Sequence, residues 1–127
     1  MPQRRLGKYL LEERIRIGGM AELWRGCSIG SAGFRKQAAF KLILPCYADD
    51  EHFLAMFQDE ASIASKFSHA NVAQVYDYDI VNGEPFIVME YVDGKDLRAL
   101  SSQLAGEPVP WPIALNIAME AAKGLHY

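Results

Sequence analysis

A lysine inside an apolar segment is the feature of this sequence that points most directly to chemistry. Lys41 lies in the segment 38–44, whose apolar composition predicts a strand. Alternation along that strand puts Phe40 and the two leucines on one face, which we expect to pack against a helix, and Ala39 with Lys41 on the other. A flat ligand lying against Ala39 would place its anionic part within reach of Lys41. The alternative is a lysine that runs along the sheet surface and keeps its ammonium group in water.

A glutamate on the following helix is the natural partner for this lysine. From Asp49 onward, acids that suit a helix N-terminus precede apolar residues at three- and four-residue spacing, which predicts a helix of about four turns. Glu60 falls on the apolar stripe of this helix, and a buried carboxylate needs a partner because an unpaired buried charge is costly. Packing of the helix on the sheet would bring Glu60 to Lys41; alternatively, Glu60 lies at the wet edge of the stripe. The stripe consists of Phe53, Met56, Phe57, Ile63, Ala64 and Phe67.

A glycine pair separates the first two strand-like segments. Gly18 and Gly19 lie between the segments 9–17 and 22–28, and together these predict a β-hairpin. Glycines in such a turn let backbone N–H groups approach phosphate oxygens closely. A Gly-Gly turn is weak evidence when taken alone, because most such turns have no ligand.

The remaining elements complete an α+β pattern. The segment 37–44 predicts a third strand, and the segments 72–80 and 85–92 flank Asn82-Gly83, a strong hairpin signal. Helical patterns follow over 97–104 and from Pro112 to Tyr127. Three strands, a helix, two strands and two helices suit an antiparallel sheet with a helix against one face. Since the last helical pattern continues up to Tyr127, we expect this chain to be a piece of a longer domain.

Composition excludes several classes of protein. Half of the 127 residues are apolar, which is the balance of a chain that buries a core and not of a disordered one. There are 13 Lys and Arg against 16 Asp and Glu, a net charge of −3, so no basic surface for nucleic acid is expected. The short basic cluster of Arg4, Arg5 and Lys8 is predicted to be a solvated terminus.

The cysteines and the hydropathy pattern give further expectations. Cys27 and Cys46 have neither the spacing of a zinc site nor that of a disulfide framework, so we expect reduced thiols. The apolar stretches are broken by charged residues, and no membrane or export segment is recognised. We expect a cytoplasmic protein.

Taken together, these motifs resemble the N-terminal lobe and the start of the C-terminal lobe of a protein kinase, most closely the bacterial serine/threonine kinases. The family pattern is a glycine-rich hairpin, Ala-x-Lys on the third strand and a glutamate on the next helix. Here these are the segment 17–23, Ala39 with Lys41, and Glu60. Further matches are the segments 67–72 and 87–92.

The resemblance implies a five-stranded antiparallel sheet with one packed helix, followed by two helices of an incomplete C-lobe. Residues 1–8 would form an N-terminal extension, 9–92 the N-lobe and hinge, and 93–127 the start of the C-lobe.

The resemblance also implies a site for ATP. Lys41 would hold the α- and β-phosphates, and its pairing with Glu60 would report the active position of the helix. Gly18 and Gly19 would lie close to the phosphates. The adenine ring would be bounded by Ile15, Leu23, Ala39, the gatekeeper Met89 and the hinge backbone of Glu90 and Val92. Asp96 would bind the ribose hydroxyls, or would instead cap the next helix. Met89 and Val92 have the alternative of being ordinary strand core.

The sequence departs from the family pattern at the glycine loop and in the catalytic motifs. Arg16 stands in place of the first glycine and Ala21 in place of the third; the arginine would either bind phosphate or obstruct it. No His-Arg-Asp or Asp-Phe-Gly motif is present, so the Mg²⁺ ligands are expected in a missing part of the domain. This chain alone is therefore predicted to be inactive.

Three hypotheses follow. The first is the ATP-binding portion of a kinase that transfers a phosphoryl group from Mg-ATP to serine or threonine of a protein substrate. The second is a non-catalytic kinase-like module that binds a protein partner, or a second copy, through the unfinished last helix around Ile117 and Leu125. The third is a small α+β domain without a nucleotide site.

Overall fold

The computed structural model describes residues 3–127, and its elements follow the predicted α+β order. The strands are β1 (Arg4–Leu6), β2 (Tyr9–Ile17), β3 (Ala21–Ile29), β4 (Arg35–Ile43), β5 (Val75–Val81) and β6 (Glu84–Met89). The α-helices are α1 (Pro45–Ala48), α2 (Glu51–Ala64), α3 (Leu97–Gln103) and α4 (Trp111–His126). No helix in the range 3–127 is long and apolar enough to cross a membrane.

The described chain divides into two compact units. The first comprises 3–68 and 73–91 and holds every strand with α1 and α2, while the second comprises 69–72 and 92–127 and holds α3 and α4. Along the chain, the sheet unit ends at Tyr91 and the helical unit resumes at Val92. The loop His69–Val72 belongs to the helical unit, although it is flanked by residues of the sheet unit.

The sheet has six antiparallel strands in the order β1-β2-β3-β4-β6-β5, one more than predicted. Asn82 and Gly83 join β5 to β6 with φ values of 52° and 77°. Both values are positive, as the common two-residue hairpin turn requires. This hairpin was predicted from the Asn-Gly pair and the two strand-like segments that flank it.

The extra strand β1 corrects the prediction of a solvated N-terminal extension. Leu6 is only 2% exposed and packs in the main core, and Arg4 forms an ion pair with Glu84 on β6. A single leucine among basic residues gives too short a pattern for a strand prediction. It is buried because β1 pairs with β2 and because the sheet curls over it.

The sheet curls until its two ends meet, and the main core lies inside the curl. The Tyr9 ring, on β2, contacts Phe40 and Phe86 edge to face, with centroids 5.3 and 5.6 Å apart. The Tyr9 hydroxyl donates to Asp77 Oδ2, on β5, at 3.0 Å. This core consists of Leu6, Tyr9, Leu11, Trp24, Ala38, Phe40, Leu42, Phe86 and Val88.

A second core lies between the outer face of the sheet and α2. It contains Ile43 and Ile87 of the sheet with Phe57 and Ala61 of the helix. The helix therefore packs on the face of β4 that carries Lys41, and not on the Phe40 face as predicted. The alternation itself was right, but β4 is buried on both faces, so the pattern could not show which face the helix covers.

The buried Tyr9 phenol predicts a loss of stability at alkaline pH. Burial, followed by the hydrogen bond to Asp77, raises the pKa of Tyr9 from 10.0 to about 12. Between pH 10 and 12 the folded chain keeps a proton that the unfolded chain has released, so its stability falls as pH rises. The loss attributable to Tyr9 is at most about 3 kcal/mol. Urea unfolding of the wild type and Tyr9→Phe from pH 9 to 12 checks this: their difference in unfolding free energy should shift by that amount in favour of the variant. A constant difference would contradict it.

In the helical unit, the loop His69–Val72 packs closely on α4. Asn71 Nδ2 donates to the main-chain oxygen of Glu120 at 2.8 Å and to its carboxylate at 2.7 Å. Hydrogen bonds from Lys123 and Asn71 lower the pKa of Glu120. A Cβ atom at Gly124 would lie 2.8 Å from the Asn71 carbonyl oxygen, so glycine permits this close approach.

Candidate functional site

The centre of the candidate site is an ion pair between β4 and α2. Lys41 Nζ lies 2.5 Å from Glu60 Oε1, and the two side chains are 31% and 49% exposed. The structure thus brings the two predicted residues together. It also places Glu60 at the solvent-exposed edge of the apolar stripe of the helix. The sequence left pairing with Lys41 and exposure to solvent as alternatives, and the structure shows both. An exposed pair of this kind contributes little to stability.

Local sequence explains why both partners are held in place. The residues on either side of Lys41 in β4 are buried on both faces of the sheet, which fixes the strand that carries the ammonium group. On α2, Asp50 caps the helix by accepting from the N–H groups of His52 and Phe53 at 2.9 and 3.4 Å. Ala61, the neighbour of Glu60, is buried against the sheet and orients this turn of the helix.

The glycine hairpin closes over the same region. Gly18 N donates to Ala21 O at 2.7 Å, and Met20 O accepts from Leu44 N at 2.8 Å, which ties the tip of the hairpin to the end of β4. A Cβ atom at Gly19 would meet nothing within 4 Å, and Gly19 does not have a positive φ. Neither crowding nor backbone conformation requires glycine there. An uncovered backbone is what a phosphate group needs for close approach.

A cavity of about 320 Å³ lies beside the ion pair under this hairpin. It brings together five of the predicted site residues: Gly18, Leu23, Lys41, Glu60 and Met89. Arg16, Ala21 and Glu22 complete its lining. The walls are mainly apolar and include a few charged side chains, which is the usual character of a small-molecule site.

Two residues that were predicted to contact the adenine ring, Ile15 and Ala39, do not line this cavity. Ile15 is in an irregularity of β2 and is 46% exposed, and Ala39 is buried directly opposite Met89 in the sheet. Neither is among the residues of the described chain that line the cavity.

A second cavity, of about 340 Å³, lies on the other side of the ion pair and was not predicted. Its apolar walls include Met56 and Ile63, which the sequence pattern assigned to the packed stripe of α2. Both side chains are exposed, whereas Phe57 and Ala61 are buried. The pattern could not distinguish a cavity wall from a core because both require apolar side chains at helical spacing.

The predicted hinge residues are positioned by their own hydrogen bonds. Glu90 N donates to Gln74 O at 2.7 Å, and the role of Glu90 as a hinge contact stays a prediction. In the helical unit, Val92 O accepts from Gly94 N at 3.0 Å. Asp96 Oδ1 accepts from Ala99 N at 2.7 Å and caps α3, so the capping alternative is observed and the ribose role stays a prediction.

Comparison with known proteins identifies the family. A family model described as protein tyrosine and serine/threonine kinase matches residues 10–127. The chain belongs to the protein kinase family. Members of this family use ATP and Mg²⁺ and act on protein substrates.

Individual relatives show the same likeness. The chain is 36% identical over 124 residues to the tyrosine-protein kinase MasK of Myxococcus xanthus, covering 95% of this chain and 19% of that protein. It is 29% identical over 120 residues to a probable serine/threonine-protein kinase of Clostridium acetobutylicum, covering 94% of this chain and 18% of that protein. It therefore spans about a fifth of the length of these relatives.

Solved structures of kinase domains have the same fold. The Mycobacterium tuberculosis PknI kinase domain superimposes with a TM-score of 0.76 at 26% identity, covering 94% of this chain and 47% of that chain. The α+β architecture, with the sheet unit followed by helices, is thus that of a kinase N-lobe and the beginning of a C-lobe.

Within 3–127, no group of three or more His, Cys, Asp or Glu side chains is arranged to hold a metal ion.

Proposed function

We propose that this chain is the ATP-binding portion of a protein kinase that phosphorylates serine or threonine of protein substrates. The observation that carries the proposal is the ion pair between Lys41 and Glu60 at the edge of a cavity under the glycine hairpin. Of the activities known for this arrangement of residues, ATP binding is the one that explains both the pair and the hairpin.

The residues present fit a nucleotide. Leu23 and Met89 give the cavity apolar walls against which an adenine ring can lie, and Lys41 places an ammonium group in its lining. Glu60 orients that ammonium group through their 2.5 Å contact. Bound ATP would supply the phosphoryl group, and Lys41 would hold its α- and β-phosphates.

Serine or threonine is proposed as the acceptor from the overall likeness to bacterial serine/threonine kinases. MasK, which carries the name of a tyrosine kinase, makes tyrosine the competing acceptor. Phosphoamino-acid analysis of a substrate phosphorylated by a chain that continues past Tyr127 distinguishes them. Phosphotyrosine alone would overturn this part of the proposal.

Two further features belong to the proposal. Mg²⁺ would enter with ATP and take its protein ligands from residues outside this chain, since neither of the family's metal-binding motifs occurs in the sequence. A cytoplasmic location agrees with the free thiols of Cys27 and Cys46.

Binding of Mg-ATP to the 127-residue chain tests the central point. A ligand that binds only the folded state at 100 times its Kd adds about 2.7 kcal/mol of stability, so thermal unfolding should shift upward by several degrees. The shift should follow ATP concentration and should be reproduced by a non-hydrolysable ATP analogue. A chain whose melting temperature is unchanged at millimolar Mg-ATP, with no heat of binding in calorimetry, would contradict the proposal.

A second candidate is a non-catalytic module that binds a protein partner or a second copy. It is favoured by the large apolar side chains that α4 exposes, among them Trp111 at 76% and Leu125 at 88%. Such a module would form a complex or a dimer without any dependence on nucleotide. Sedimentation of the chain with and without Mg-ATP therefore separates the two candidates.

A further inference from the structure

The strand that leads into the glycine hairpin contains an irregularity next to the cavity. Arg14 is opposite Trp24 and Arg16 is opposite Leu23, so two steps along β2 correspond to one step along β3. Ile15 is the extra residue of this β-bulge. Bulges change the direction of the side chains that flank them, and they occur often beside active sites.

The bulge sends two arginines to opposite faces of the sheet. In a regular strand Arg14 and Arg16 would share a face because they are two residues apart. Here Arg14 shares the face of Trp24, where it lies 3.8 Å from the Glu22 carboxylate. Arg16 shares the face of Leu23 and lines the cavity.

The strand register places Arg16 and Lys41 in the same row of residues across the sheet. Arg16 is opposite Leu23, and Leu23 is opposite Lys41. Since neighbouring strands lie about 4.8 Å apart, the Cα atoms of Arg16 and Lys41 are separated by roughly 10 Å. Two long cationic side chains therefore flank the cavity from β2 and β4.

Two residues that line the cavity, Glu60 and Glu22, carry carboxylates that contact other side chains. Glu60 pairs with Lys41, and the Glu22 carboxylate accepts from Trp24 Nε1 at 2.9 Å and lies near Arg14 on the other face of the sheet. A guanidinium group presents paired N–H donors that match phosphate oxygens better than an ammonium group does.

We propose that Arg16 is a second cationic contact for the phosphates of the bound nucleotide, so that Lys41 and Arg16 hold the polyphosphate from two sides. This inference rests on the proposed function, since it takes the cavity to be the ATP site. It gives the arginine that replaces the first loop glycine a binding role and not an obstructing one.

Calorimetric titration of the 127-residue chain with Mg-ATP and with adenosine tests this role. Arg16→Gly, which restores the residue of the family pattern, should weaken Mg-ATP binding about tenfold, as expected for loss of a charged hydrogen bond. Adenosine, which has no phosphate, should bind equally to both chains. Arg16→Gln supplies a second variant that keeps the length of the side chain, and it should lose the same affinity.

Arg14→Gln is the matched control, because it removes an arginine from the same strand on the opposite face. Its Mg-ATP affinity should stay within about twofold of wild type. The affinity lost in the Arg16 variants should also fall with added salt, since a phosphate contact is screened.

Two results would overturn the inference while leaving the proposed function intact. Unchanged or tighter Mg-ATP binding by Arg16→Gly and Arg16→Gln would show that the arginine does not hold phosphate. An equal loss of adenosine affinity would place its contact on the nucleoside. If the wild-type chain bound no Mg-ATP, the proposed function would fail first, and the inference with it.

Discussion

Replacing Lys41 by methionine is expected to remove most of the Mg-ATP binding of this chain without unfolding it. Lys41 and Glu60 form a partly exposed ion pair, so its loss should change the free energy of unfolding by less than about 1 kcal/mol. The same change removes an ammonium group from the lining of the cavity, and Mg-ATP affinity should fall at least about tenfold. In a chain that continues past Tyr127 into the catalytic loops, phosphoryl transfer should fall on the order of 10²-fold or more.

Two further variants separate a binding role from a structural one. Glu60→Gln keeps Lys41 but removes its partner, so it should weaken Mg-ATP binding less than Lys41→Met does. Lys66→Met is the matched control, because Lys66 is an exposed lysine that follows the same helix and does not line the cavity. It should bind Mg-ATP like the wild type.

Titration calorimetry and urea unfolding of the three variants give both quantities. A Lys41→Met chain that binds Mg-ATP with wild-type affinity would show that the cavity beside the ion pair is not the nucleotide site. Loss of several kcal/mol of stability in that variant would instead make the pair a structural one.

Gly26→Ala is expected to cause the largest loss of stability of any glycine substitution in the sheet. A Cβ atom at this position would lie 2.1 Å from the Leu10 carbonyl oxygen and 3.0 Å from Leu11 Cα. Both atoms belong to the backbone of β2, which pairs with β3 there, so no side-chain rotation relieves the clash. The strands must separate, and we expect a loss of about 3 kcal/mol or more.

Gly19→Ala is the matched control for this substitution. A Cβ atom at Gly19 meets nothing within 4 Å, so its unfolding free energy should stay within about 1 kcal/mol of wild type. Urea unfolding of the two variants at one temperature measures the contrast. A Gly26→Ala chain as stable as Gly19→Ala would show that β2 and β3 do not approach each other as described.

The sequence was sufficient to predict the elements whose signals are local. The Asn82-Gly83 hairpin follows from turn chemistry, and α2 follows from its capping acids and apolar spacing. Lys41 and Glu60 were found because a charge in an apolar pattern needs a partner, wherever it lies in the chain. Their pairing also required that the helix pack on the face of β4 that carries Lys41, which the sequence pattern did not show.

The tertiary structure decided features that depend on pairing between distant segments. It buried Leu6 in a sixth strand, because the curl of the sheet closed over a residue with no local pattern. It also placed α2 on the Lys41 face of β4, which alternation could not show for a strand buried on both faces.

The direction of Arg16 shows the same limit at the site itself. By itself the sequence determined that an arginine replaces a loop glycine and left open whether it binds phosphate or blocks it. Only the bulge at Ile15 sets which face that side chain occupies, because a shift of one residue in register exchanges the two faces of a strand. Register is fixed by contacts along the whole of β2 and β3, and no short segment of sequence contains them.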